Sequence, residues 1–206
     1  MKWNKLNIIF YKQILILCSV FFTACSDNIG VKKRGYFKIN LPINQGSKLY
    51  DMPGFPYKFQ YPSYAIISKD SSFFDAKPEN DFWLNIDIPT LDARLYISYK
   101  QIAKQGKNSF DSLLLQTTTM SYKHSSLANS IDPEPFKTPN NIEGVFFDIS
   151  GDVATSKQFF LTDSVKHFFR GALYFNAAPN NDSLKPVYDF LEKDLRQIAN
   201  TLTWKN

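Results

Sequence analysis

The stretch that most restricts the fold is QFFLTDSVKHFFRGALYF, Gln158–Phe175. Two runs rich in Phe and Leu flank a short polar break at Asp163 and Ser164. Asp and Ser are turn formers, because their side chains bond the amides that follow them. The runs therefore read as two strands joined by a tight turn. From Phe168 to Phe175 the second run is apolar at odd and even positions alike, apart from Arg170. Successive side chains of a strand face opposite ways, so this one asks for helices over one or both of its faces.

The same stretch holds Asp163, Ser164 and His167, the residue types of a serine-hydrolase triad. A triad needs the histidine between acid and nucleophile, one ring nitrogen facing each. Asp163 and Ser164 adjacent on a turn, with His167 in the next strand, make that order hard to reach. No G-x-S-x-G elbow or glycine-rich oxyanion segment accompanies them. The cluster reads as a turn, and no enzymatic activity is expected. The two histidines, His124 and His167, stand apart and form no recognised metal spacing; there is no P-loop or dinucleotide fingerprint. No metal and no cofactor are expected.

Elsewhere the pattern changes period several times. Tyr57–Lys69 has strand composition broken by Pro62, which suits an edge or a bulge. In FWLNIDIP, Trp83, Asn85 and Asp87 face one way and Leu84, Ile86 and Ile88 the other. ARLYISYK repeats the alternation, and the intervening PTLDA fits a hairpin. Ser109 caps a helix with Phe110, Leu113, Leu114 and Thr117 on one stripe; the Thr117–Thr119 run leaves its far end open. Asp132–Asn141 holds three prolines and reads as a loop. GVFFDIS is a strand and GDVATS a turn. Asn181 or Asp182 caps a last helix to about Leu202, its face formed by Val187, Phe190, Leu191, Leu195, Ile198 and Leu202. Pro186 is placed in its first turn, where proline is tolerated. Five to seven strands in hairpins with two helices make an α+β domain, an antiparallel β-sheet packed by helices. The 16% aromatic content agrees with strands rather than a helical bundle.

Arg170 stands out because a guanidinium buried in an apolar strand needs a carboxylate. Asp87, on the same strand face as Asn85 and Trp83, is the expected partner. A structural ion pair is the first reading of Asp87 and Arg170, and a ligand contact the second.

The N-terminus reads as an address. Residues 1–24 carry Lys2, Lys5 and Lys12, no acidic residue, and the apolar run Ile14–Phe22. A bilayer-spanning helix needs roughly 20 apolar residues, so this run suits a secretory signal. Phe22-Thr23-Ala24-Cys25 follows, with a small residue before a cysteine as in a bacterial lipobox. There the cysteine is diacylated on sulfur, freed by cleavage and then N-acylated, palmitate being a typical chain. Phe22 departs from the usual Leu or Val, and an ordinary cleaved signal with an incidental Cys25 is the alternative. Cys18 falls in the removed segment, so Cys25 is left without a disulfide partner. Two or three acyl chains give firm membrane attachment. Residues 25–34 form a tether, with Lys32, Lys33 and Arg34 either near anionic head groups or simply solvated. Residues 35–206 make the single α+β domain. Three of the positive charges behind the net +5 lie in the signal, and the small remainder argues against nucleic acid as a partner.

RGYFKINLP, YPSYA, WLNIDIP, ISYK, QFFLTDSVKHFFRGALYFNAAPNNDSLKPV and the closing NTLTWK resemble the GldD family of gliding-motility lipoproteins of Bacteroidetes. The similarity runs from about Arg34 to Lys205. It implies a cell-envelope lipoprotein required for gliding and tied to type IX secretion, without an established enzymatic activity, and it carries the lipidated cysteine onto Cys25. The order of elements also resembles the PsbP-like α/β/α sandwich. The expected function is to support assembly or stability of the gliding motility and type IX secretion machinery through protein–protein contacts. The lipid anchor would hold the protein on the outer membrane facing the periplasm. Expected contact residues are aromatics of the Tyr50–Tyr64 loop and polar residues of the Trp83 and Tyr96 strands. The alternative is a small-ligand-binding periplasmic lipoprotein with a pocket between sheet and helices.

Overall fold

The computed structural model describes residues 39–43, 46–69, 78–123, 125–178 and 180–205. In chain order these form β1 (Ser47–Tyr50), β2 (Tyr57–Pro62), β3 (Ile66–Lys69), β4 (Leu84–Ile88), β5 (Ala93–Gln101) and helix α1 (Phe110–Tyr122). They continue with β6 (Ala128–Lys137), β7 (Glu143–Gly151), β8 (Lys157–Thr162), β9 (His167–Phe175), α2 (Asn181–Thr201) and β10 (Thr203–Trp204). The expected signal segment 1–24 and tether 25–34, with Cys25, and His124 lie outside the described residues.

Gln158–Phe175 forms the expected hairpin, with Thr162 opposite Phe168 and Gln158 opposite Ala172. It sits inside a seven-stranded antiparallel sheet of order β3-β4-β5-β9-β8-β7-β6. A second sheet, β1-β2-β10, lies against it. On one face of the large sheet, Leu95, Ile97, Phe159, Phe169 and Leu173 pack under Leu191, Leu195 and Ile198 of α2 and under Tyr57 and Phe59 of β2. On the other face, Phe147, Ile149, Phe160 and Phe168 pack under Leu113 of α1. Both faces of β9 are covered, as a run apolar at all positions but Arg170 requires. Burial of a Phe is worth roughly 1.5–3 kcal/mol, so these rings dominate what holds the layers together. The expected α+β architecture, an antiparallel sheet with helices, is what the chain forms. Among the described residues no helix is long and apolar enough to cross a membrane.

Several elements depart from expectation. Asp132–Asn141, read as a loop, supplies most of strand β6. β6 is an edge strand, and Pro133 and Pro135 stand two residues apart. Their nitrogens therefore point the same way, away from β7, where no ladder hydrogen bond is lost. Pro62 ends β2, and after the turn at Ser63 and Tyr64 the chain enters the other sheet as β3. Helix α1 runs through Thr117–Thr119 to Tyr122 because Thr117 and Ser121 are buried against the sheet. That packing outweighs the tenths of a kcal/mol that each Thr costs in helix propensity. The cap of α2 is Asn180, whose side chain accepts from the Ser183 amide, and Pro186 falls in the second turn rather than the first.

Candidate functional site

The Asp163–Ser164–His167 cluster is a structural turn. Asp163 Oδ1 accepts from the amides of Val165, Lys166 and His167 at 3.0, 2.8 and 2.8 Å. Burial pushes the Asp163 carboxyl up, but those amides hold it below the usual carboxylate range. Ser164 takes the left-handed conformation, φ 61°, with its amide on Thr162 Oγ1. The His167 ring turns away, bonded through Nδ1 to the Tyr99 hydroxyl at 2.7 Å and stacked on Trp204. The three side chains are not brought together as a catalytic relay.

Asp87 and Arg170 are not paired. Strand order separates them: β5 lies between β4 and β9, Asp87 is opposite Arg94, and Arg170 is opposite Ser98. Two strand spacings across and four residues along place their Cα positions roughly 16 Å apart. Asp87 instead binds Arg94 Nε at 2.5 Å and accepts from Ser68 Oγ at 2.7 Å. The Asp87–Arg170 ion pair is corrected to Asp87–Arg94. With Ile66, Tyr96 and Tyr174, this pair lines a depression of about 670 Å³ at the end of the sheet that α1 leaves uncovered.

Arg170 has a different neighbour. Its Nη2 donates to Gln158 Oε1 at 2.6 Å, and Nε meets no acceptor among the described residues. Arginine offers only donors, so the Gln158 oxygen has to face it, which leaves Gln158 Nε2 without an acceptor. Ser121 of α1 also donates to Gln158 Oε1, at 3.3 Å. Burial pulls the Arg170 pKa below the usual guanidinium range, opposed only by the Tyr174 hydroxyl. The register of the Gln158–Phe175 hairpin contains the signal for this pairing: Phe160 is opposite Arg170, and Gln158, two residues away, shares its face.

Between α1 and β5–β9 lies a cleft of about 300 Å³ with Arg170 in its wall. Ser98 and Arg170 stand opposite each other on β5 and β9, Trp83 comes from the residue before β4, and Leu113, Thr117 and Met120 come from one face of α1. Lys100 stands in the lining, held by Glu79 at 3.1 Å, and Lys107 approaches the same carboxylate at 3.8 Å. Of the polar residues expected on the Trp83 and Tyr96 strands, Ser98 lines this cleft and Asp87 and Arg94 the larger depression, while Asn85 is buried and lines neither. The Tyr50–Tyr64 aromatics do not offer an exposed contact surface: Tyr57 and Phe59 are wholly buried, and Tyr50, Phe55 and Tyr61 pack with them. Exposed apolar residues stand on the outer side of α1 instead, at Leu115 and Tyr122, with Leu127 just beyond the helix. No group of three or more His, Cys, Asp or Glu side chains that could hold a metal occurs among the described residues.

Fold and site together define a mixed α/β protein, an antiparallel sheet flanked by helices, with a cleft under one of them. Its sequence matches the family model of gliding motility lipoprotein GldD over residues 26–204, and the chain belongs to that family. No curated protein matches it. Among solved structures, the solution structure of cyanobacterial PsbP (CyanoP) from Synechocystis sp. PCC 6803 is similar at a TM-score of 0.48 and 11% identity, over 80% of this chain and 95% of that one.

Proposed function

We propose that the protein is an envelope lipoprotein, acylated at Cys25, that supports assembly or stability of the gliding motility and type IX secretion machinery through protein–protein contacts. The family match across residues 26–204 carries this reading. The outer side of α1 supports the contact mechanism: Leu115 is 68% exposed and Tyr122 44%, although the opposite side of the same helix is buried. The two lie seven residues apart, on one helical face. Attachment through the cysteine would place the domain on the outer membrane, facing the periplasm.

Crosslinking in native membranes, followed by capture and mass spectrometry, tests the proposal. Wild-type protein is expected to recover gliding or type IX secretion subunits. Cys25→Ala should lose them with the membrane fraction. Leu115→Glu combined with Tyr122→Glu should lose them while staying membrane-bound and folded. Recovery of the same subunits by the double variant would exclude the α1 surface, and no such subunits with wild type would exclude the role itself.

A further inference from the structure

The cleft beneath α1 holds a charge that no carboxylate among the described residues pairs with. Arg170 is 9% exposed, and the one side chain that accepts from it within the described fold, Gln158, is uncharged. Its Nε–H has no acceptor among the described residues. Glu79, the carboxylate in the cleft lining, is already held by Lys100 and Lys107. Leaving a guanidinium buried beside a neutral amide is unfavourable unless an anion can reach it. The cleft gives that access, since Arg170 lines it.

From this geometry we infer that the cleft binds a small organic carboxylate with an apolar body. Charge selects an anion: Arg170 and Lys100 against Glu79 leave the lining with a positive excess, and Lys107 stands beside the same carboxylate. A guanidinium favours a planar carboxylate, which can accept from two of its nitrogens. The rest of the wall is apolar or aromatic, with Trp83, Leu113, Met120 and Phe168 around the space. At about 300 Å³ the cleft stands at the small end of ligand pockets. This binding is additional to the scaffolding role and does not depend on it.

The test is calorimetric titration of the full chain in phosphatidylcholine bilayers, with empty bilayers subtracted. The probes are phenylacetate, its neutral isostere phenylacetamide, and inorganic phosphate. Phenylacetate is expected to bind at one site, about ten- to a hundredfold tighter than phenylacetamide, the span that hydrogen bonds to a charged group give. Phosphate should bind more weakly than phenylacetate. Arg170→Met should bring phenylacetate down to the affinity of the amide. Equal affinities for acid and amide, tighter binding of phosphate, unchanged phenylacetate binding by Arg170→Met, or no saturation at millimolar phenylacetate would each overturn the inference. Should Arg170→Met fail to fold, Met120→Trp provides the second arm. Met120 is 41% exposed at the cleft mouth, so an indole there fills the space while α1 keeps its buried side. Loss of phenylacetate binding is expected, and full retention would refute the site.

Discussion

Gly171 lies in the middle of β9, where a side chain would have no room. A Cβ there would stand 2.5 and 2.6 Å from Cε1 and Cζ of Phe159. Ordinary contacts of that kind begin near 3.4 Å, so the ring or the strand has to yield by close to 1 Å. Phe159 cannot swing aside, because it is wholly buried and its ring lies 5.2 Å from Phe146 and 6.2 Å from Phe169. Overpacking of this kind costs about 1–3 kcal/mol. Replacing Gly by Ala also restricts the unfolded chain, which returns roughly 0.4–1 kcal/mol. A clash at 2.5 Å belongs in the upper half of the overpacking range, so Gly171→Ala should destabilise by about 1–2.5 kcal/mol, a fall in Tm of about 2–10 °C for a domain of this size. Phe159→Leu shortens the side chain that the new methyl meets. In a double-mutant cycle by urea unfolding, the two changes together should cost at least about 1 kcal/mol less than their sum. A neutral Gly171→Ala, or strictly additive changes, would refute the account of β8–β9 packing.

Asp163→Ala removes the acceptor of three amides and should cost about 1–2 kcal/mol in urea unfolding, whereas Ser164→Ala should stay within about 0.5 kcal/mol. The Asp163 carboxyl titrates lower in the folded chain than in the unfolded one. Its contribution is thus present above the unfolded value and lost as pH falls through the folded one; Asp163→Asn should flatten that acid limb. Asp194 has the opposite sign. Burial raises its pKa against the Tyr64 hydroxyl that donates to it, so the native state holds the proton more tightly. Stability should decline as pH rises from the unfolded carboxylate value through the folded one, and Asp194→Asn should remove that decline in a pH series of thermal unfolding. His167 is held neutral by burial, which lowers its pKa; between its folded value and about 6.5, stability should fall as pH falls. His167→Gln should abolish that dependence, and a dependence that survives would assign it to another group.

Much of the fold was legible because the signals that carry it are local. The turn at Asp163, the alternation of Leu84–Ile88 and Ala93–Gln101, the Ser109 cap and the apolar face of α2 each follow from residues within a few positions of one another. Periods of 2 and 3.6 state which face a side chain takes, and the face assigned to Leu84, Ile86 and Ile88 is the buried core. The acylation proposed at Cys25 rests on the same kind of signal, a short motif read without any fold.

Only the tertiary structure decided which residues share a neighbourhood. Asp87 and Arg170 are on one face, as alternation implies, yet β5 stands between their strands and gives Asp87 to Arg94. Pro133 and Pro135 are breakers by composition and strand residues by position, because an edge strand has one side without a ladder. The aromatics of β2 look like a contact surface along the chain, but they became core when the small sheet folded onto the large one. The cleft at Arg170 exists because α1, far away in sequence from β9, lies across it. Periodicity assigns a side chain to a face; the lateral order of strands, set by the packing of the whole chain, assigns its partner.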